Sequence, residues 1–196
     1  GDGNVVERIL ITDADKIRHT AEDIDHDAFD RAVEALLNAK KIYIMGVRSS
    51  AHLAGFLNMG MRRMFDNIKM IQSTAGSEVF EQMISIGEDD VLVAISFPRY
   101  STTLAKGVRY CRNTGATVIG LTDSRMSPLG QNCDHVLLAK SDMLSLVDSL
   151  AAPLSVTNAL LVALAAEREQ ELARNFGNLE NIWEEYNVYE KQVDTL

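Results

Sequence analysis

Two short stretches of this 196-residue chain set hydroxyl groups and an arginine directly after an apolar run. One is ISFPRYSTT, residues 95–103, which follows VLVA; the other is GVRSSAHLA, residues 46–54, which follows KIYIM. Both lead into helical patterns. At a helix start the unpaired backbone N–H groups and the helix dipole converge, which favours anions, and Ser or Thr hydroxyls add donors of little bulk. Arginine adds a charge-assisted contact that can be two-pronged on phosphate. The chemistry this pattern fits is the holding of a phosphate or another small anion.

Ser and Thr are also ordinary helix caps, and any one of Ser49, Ser50, Ser101 or Thr102 taken alone reads as a cap. Two such clusters, each with an arginine (Arg48, Arg99), point instead to a shared anion site. GVRSS is not a dinucleotide fingerprint, because the glycines that let a backbone approach a pyrophosphate are missing. SRMSP, residues 124–128, reads as a turn and a helix start.

Such loops need a rigid frame. Residues 41–46, 68–71, 90–96, 116–122 and 134–139 are short runs of β-branched and aliphatic residues bounded by polar or turn residues, the pattern of strands. Between them lie helical patterns at 50–65, 76–86 and 101–113, with a short one at 127–133. In the third, Leu104, Val108 and Cys111 fall at i, i+4 and i+7, on one face. Strands that are apolar throughout must be covered on both sides. The alternation therefore predicts an α/β fold, a three-layer α-β-α sandwich around a five-stranded parallel sheet with right-handed crossovers.

Flanking helices are predicted at 27–40, over the apolar run 149–166, and at 178–193. The last carries Leu179, Ile182, Trp183, Tyr186 and Tyr189 at helical spacing, and either packs on its own domain or reaches a second subunit. In a parallel sheet ligands sit beyond the carboxyl ends of the strands. The loops at 46–54, 72–78, 96–103 and 122–128 are then the candidate site.

Composition narrows the partners. A net charge of −9 and a pI near 4.9 argue against nucleic-acid binding by these residues, since a DNA-binding face must neutralise phosphates with clustered Lys and Arg. Cys111 and Cys133 make no disulfide framework and, like the four scattered histidines, show no metal-ligand spacing, so a reducing, cytoplasmic setting without metal or cofactor is expected. No secretory leader is read at 1–16. The run at 149–166 approaches the roughly 17–25 residues of a spanning helix, but Pro153, Ser155, Thr157 and Asn158 interrupt it, and a helix buried in a core or subunit interface is expected instead of a membrane span.

The order of elements, with hydroxyl loops after the first and third strands, resembles the SIS (sugar isomerase) domain, and more narrowly the effector domain of RpiR-type transcriptional regulators. The resemblance covers residues 29–167. Its most specific piece is LVAISFPRYSTTLAKGVRYCRNTGATVIGLTDSRMSPLGQNCDHVLL, residues 92–138. The family's phosphate loop usually reads S.SG.[TS], matched here by Ser96, Phe97, Pro98, Arg99, Tyr100 and Ser101, with Pro98 and Arg99 where Ser and Gly are usual. Its first loop usually reads G.G.S, matched by Gly46, Val47, Arg48, Ser49 and Ser50, with Arg48 in place of the second glycine. Pro98 removes a backbone donor, which the Arg99 guanidinium offsets.

The resemblance implies a flavodoxin-like SIS domain at 41–175, a helical extension at 1–40 and a helical arm at 176–196. It implies a sugar-phosphate pocket in which Ser50, Ser96 and Ser101 hold the phosphate, with Ser49, Arg99, Tyr100 and Thr102 beside them. Arg48, Thr74 and Glu78 complete the ligand candidates. The function implied is a non-catalytic sensor of a phosphorylated sugar or amino sugar that controls carbohydrate-metabolism genes. Such regulators contact DNA through an N-terminal helix-turn-helix domain, for which 1–40 lacks the basic residues, so the chain is expected to be part of a longer one.

The alternative is an aldose-ketose isomerase of sugar phosphates, which needs a positioned base. His52, Glu78 and Glu81 are the residues for that role, but no acid-base pair presents itself, and each reads more simply as a surface or helix-start residue. A purely structural oligomerisation domain would not require the polar loops. The helices at 50–65 and 150–166 are apolar around most of their circumference, which predicts a homodimer or a dimer of dimers.

Overall fold

The computed structural model describes residues 4–72, 76–141 and 147–189. Five strands form one sheet: β1 (Ile42–Gly46), β2 (Ile68–Ile71), β3 (Val91–Ile95), β4 (Thr117–Thr122) and β5 (His135–Leu138). Each lies inside the run expected for it. All four pairings are parallel, in the order β2-β1-β3-β4-β5. The chain thus departs to opposite sides of β1, and the loops that follow β1 and β3 open side by side, at the switch point where parallel sheets receive ligands.

The sheet is buried on both faces because its side chains alternate between two apolar layers. Ile42, Ile44, Val91, Val93, Ile95 and Ile119 share one cluster with α2 (His26–Asn38), α3 (Ser50–Met61) and α6 (Ala151–Glu167). Tyr43, Met45, Leu92, Ala94 and Val118 share the other with α4 (Gly76–Gln82) and α5 (Thr102–Asn113). Leu104, Val108 and Cys111 of α5 are fully or nearly fully buried, as their spacing predicts. Full burial of one such aliphatic side chain contributes about 1.5–3 kcal/mol. This is the three-layer α-β-α architecture.

Several helices differ in extent from expectation. The helix expected at 50–65 ends at Met61, and Met64 and Phe65 fold back into the core through bonds to the Met61 carbonyl. That expected at 76–86 ends at Gln82, whose side-chain nitrogen donates to the Glu78 and Gln72 carbonyls and closes the turn. At 127–133 there is only a 3-10 turn, η1 (Gly130–Asn132).

The C-terminal helix α7 runs over Glu169–Glu185, not 178–193. It begins right after α6 because Arg168 pins the bend, its guanidinium lying 4.6 Å from the Phe65 ring and donating to the Leu37 carbonyl. The boundary expected at 175/176 therefore falls inside a helix. None of α7's residues is buried, and Ile182 and Tyr186 are exposed.

The N-terminal extension is a 19-residue helix, α1 (Val5–Asp23), laid along α6. Two bonds fasten it near the sheet's carboxyl edge. The Lys140 amide donates to the Thr20 hydroxyl at 3.0 Å, and the Ser149 hydroxyl donates to Asp13 at 2.6 Å. On the same layer α3 and α6 touch closely: a Cβ on Gly60 would lie 2.6 Å from the Leu161 side chain. The apolar circumferences of these two helices are thus partly spent on one another, while Met59, Val162 and Leu154 remain exposed. Among the described residues no helix is long and apolar enough to cross a membrane.

Candidate functional site

A cavity of about 240 Å³ opens between the loops that follow β1 and β3. Arg48, Ser49 and Ser50 line it from one side and Ser96, Pro98, Arg99 and Ser101 from the other; Asp148 closes it from the segment before α6. The volume lies under the roughly 300–1,000 Å³ of drug-sized sites, a scale suited to a small molecule.

Each loop is shaped by its sequence. β1 ends in Gly46, where a Cβ would lie 2.4 Å from the Ser50 carbonyl oxygen; only glycine lets the first turn of α3 come this close to the strand. Ser50 is 4% and Ser96 6% exposed, yet the hydroxyls of Ser49, Ser50 and Ser96 make no hydrogen bond among the described residues. Buried hydroxyls are normally paired, so these donors are left for what enters the cavity. Ser49 sits at the cap position of α3 without making a cap bond. Ser101 is a true cap of α5: its oxygen accepts from the Leu104 amide at 3.3 Å, which leaves its proton to donate into the cavity.

The arginines adopt an unusual backbone. Arg48 and Arg99 have φ of 57° and 61°, the left-handed region that costs a residue with a Cβ about 1–2 kcal/mol. The third such residue, Asn187, follows the end of α7, where asparagine tolerates it. Arg48 and Arg99 are the very positions at which the sequence pattern has glycine. Both side chains are exposed at the cavity mouth. Strain of this kind clusters at functional sites, and here it falls on two facing loops that line one cavity.

Not every expected residue reaches the cavity. Tyr100 turns away: its hydroxyl donates to Asp123 at 2.8 Å, tying the β3 loop to the β4 loop, and burial together with that carboxylate pushes its pKa up to about 12. Thr102 is exposed on α5, and Glu78 is exposed on α4; neither lines the cavity. Thr74 lies outside the described residues. His52, Glu78 and Glu81 are exposed, and none of them lines the cavity. The carboxylate that does line it, Asp148, reads in the sequence only as the flank of an apolar run.

Other chemistry-bearing groups lie elsewhere. Burial pushes both thiols, Cys111 and Cys133, up to about 12, which leaves them unreactive. Among the described residues no group of three His, Cys, Asp or Glu is placed to hold a metal. A larger cleft, about 750 Å³, opens at the opposite, amino edge of the sheet between the end of α3 and α7. Three of its arginines are engaged: Arg62 with Asn58, Arg63 over Phe176, and Arg168 as described.

The SIS domain model matches residues 35–163, about two thirds of the chain and all of the sheet. The chain belongs to the SIS domain family. It is similar to an uncharacterised helix-turn-helix-type transcriptional regulator of Haemophilus influenzae, 24% identical over 86% of this chain and 59% of the regulator. Among solved structures it shares its fold with the sugar isomerase domain of the RpiR transcription factor from Sphaerobacter thermophilus, at a TM-score of 0.87 and 22% identity over 91% of this chain and 99% of that one. The NanR protein of Vibrio vulnificus, solved with ManNAc-6P, has a TM-score of 0.81 at 18% identity, over 92% of this chain and 70% of NanR. The chain spans less than two thirds of the length of the curated regulators it matches first. In this SIS domain the serines that the resemblance assigned to phosphate, Ser50, Ser96 and Ser101, stand around one cavity.

Proposed function

We propose that this SIS domain is the effector-binding and dimerisation part of an RpiR-like transcriptional regulator, sensing a phosphorylated sugar or amino sugar and controlling carbohydrate-metabolism genes. The observation that carries the reading is the cavity at the β1/β3 switch point, where four serines and two left-handed arginines converge and the Ser50 and Ser96 hydroxyls have no hydrogen-bond partner among the described residues. The donors suit a phosphate. The solved NanR, of the same fold, carries ManNAc-6P, a phosphorylated amino sugar that supports the ligand class. Ser49, Ser50, Ser96, Arg99 and Ser101, with Arg48, are the proposed contacts, and Tyr100 is reassigned as a residue that positions the β3 loop through Asp123.

In this reading the protein works in the cytoplasm as a homodimer, through the exposed residues of α3, α6 and α7, and DNA is contacted by a helix-turn-helix segment outside these residues. The domain proper spans 41–175, with α1 and the end of α7 as attachments. Ligand binding reaches α1 through its short tether, since Asp13 bonds Ser149, next to the cavity residue Asp148. A ligand that favours one placement of α1 shifts the population toward it by no more than its differential affinity.

The test is an NMR incubation of the chain with hexose, amino-sugar and pentose phosphates, following both line broadening and product signals. Saturable binding of one compound without product supports the sensor and names its ligand. Steady conversion of an aldose to a ketose phosphate would make the chain an isomerase instead.

A further inference from the structure

The cavity contains a group that a simple phosphate site does not call for. The Oδ1 atom of Asp148 is sealed from solvent and has no hydrogen-bond partner among the described residues. Asp148 lines the same cavity as Ser50, Ser96 and Arg99. A buried carboxylate oxygen without a donor is costly, and here it also carries the same charge as the proposed occupant. The neighbouring Ser149 bonds Asp13 of α1 and its oxygen also accepts from the Ala151 amide, which fastens the residue that follows Asp148.

The two difficulties have one resolution if the ligand brings its own donors. A carboxylate only accepts hydrogen bonds, so its partner must be an O–H or N–H group. The dianionic phosphate ester of a sugar has none on its phosphate and inorganic phosphate has a single P–OH, whereas a sugar ring presents several hydroxyls. The hydroxyl and arginine loops then take the phosphate at one end of the cavity, and Asp148 takes the ring at the other. Inorganic phosphate held by the arginines meets the repulsion of the acid and has no ring with which to place a donor at the other end. Discrimination arises from an attractive and a repulsive element together.

We propose that Asp148 is the specificity-determining residue of the pocket: its carboxylate accepts a hydrogen bond from a ring hydroxyl or ammonium of the bound sugar phosphate, and its charge turns inorganic phosphate away. This rests on the sugar-phosphate reading above. It assigns to the ligand a hydrogen-bond donor within reach of its phosphate, and to the protein a filter against free phosphate.

The test is a calorimetric titration of three proteins, the unaltered chain, Asp148→Asn and Asp148→Ala, each with inorganic phosphate and with the best-binding hexose 6-phosphate of a panel that pairs neutral sugars with amino sugars. Asp148→Ala is expected to weaken the sugar phosphate by about tenfold or more, one lost hydrogen bond to a charged acceptor. In both variants inorganic phosphate is expected to bind several-fold more tightly, because both remove the charge. Asp148→Asn keeps an acceptor oxygen and is expected to retain more of the sugar-phosphate affinity than the alanine variant. A larger loss for amino sugars than for neutral ones identifies the donor as an ammonium; equal losses identify a hydroxyl.

The two ligands separate a selective role from a structural one, since damage to the pocket weakens both. If the affinities for sugar phosphate and inorganic phosphate fall together, or neither changes, the proposal is overturned while the pocket stands. If the unaltered chain binds no member of the panel, the sugar-phosphate reading fails and takes this assignment with it.

Discussion

The loops after β3 and β4 are written in nearly the same letters, SFPRYSTT and TDSRMSP, and do different work. In the β4 loop every hydroxyl makes a hydrogen bond within the loop. Thr122 and Ser127 hydroxyls lie 2.9 Å apart, Ser127 also accepts from the Gly130 amide, Ser124 accepts from the Met126 amide, and Arg125 pairs with Asp25, the residue preceding α2. In the β3 loop the Ser96 hydroxyl has no bond among the described residues, Arg99 is held in a left-handed backbone, and both border a cavity. Composition marks both as polar loops at strand ends. What distinguishes a site from a turn is whether the polar groups are satisfied by the protein itself.

The largest expected effect breaks the β3 loop. Replacing Ser96 by Ala and Arg99 by Gly together removes a hydroxyl and a guanidinium while leaving a backbone that glycine adopts freely. Sugar-phosphate affinity is expected to fall by at least about 100-fold, the worth of two bonds to a charged group, with the circular dichroism spectrum and melting temperature unchanged within a few degrees. An unaltered calorimetric Kd for this double variant would remove the pocket from the account.

Next in size is the converse change in the β4 loop. Ser127→Ala strips partners from Thr122 and from the Gly130 amide in a buried place, and is expected to cost about 1–3 kcal/mol in urea unfolding while leaving ligand affinity unchanged. Loss of affinity without loss of stability would erase the distinction between the two loops.

Arg99→Gly alone sharpens the comparison. Affinity is expected to fall about tenfold, as one charge-assisted contact is lost, while relief of the left-handed strain offsets the greater chain entropy of glycine and keeps the melting temperature level or higher. Arg99→Ala, which keeps the strain and loses the charge, is expected to be the less stable of the two.

The smallest effect belongs to Tyr100. Its burial and its bond to Asp123 raise its folded pKa to about 12 from the ordinary 10, so the folded state favours the neutral phenol. Its contribution to stability is present below pH 10 and is lost as the pH rises from 10 to 12. Tyr100→Phe is expected to flatten that part of the stability profile, measured by thermal unfolding, and to weaken the ligand only slightly, because Tyr100 positions the loop without lining the cavity.

The sheet was readable in the sequence because each strand is a short aliphatic run covered on both faces, a signal that owes nothing to distant residues. The helices between them were readable as well, with ends displaced where tertiary bonds decide, as at Gln82 and Arg168. Val5, Val6, Ile9 and Leu10 of α1 fall at helical spacing yet stay exposed, and the sequence reading went no further there than a helical extension at 1–40. Ser50, Ser96, Arg99 and Ser101 were legible because strand ends and helix starts are local features. The left-handed arginines could be anticipated only from the glycines usual at their positions.

Two residues show where local reading stops. Tyr100 has the composition of a ligand contact, but its hydroxyl meets Asp123, 23 positions away, and that pairing leaves no local trace. Asp148 stands about fifty residues beyond the β3 loop and beside a long apolar run. Only the closure of the sheet brings it to the cavity.

The most direct measurement is a phosphorus NMR titration of the unaltered chain and of the Ser96→Ala, Arg99→Gly double variant with hexose 6-phosphates. The account predicts a saturable shift of the phosphate signal with the unaltered chain, no product signal, and no shift with the variant. The same shift in both proteins, or none in either, would contradict it.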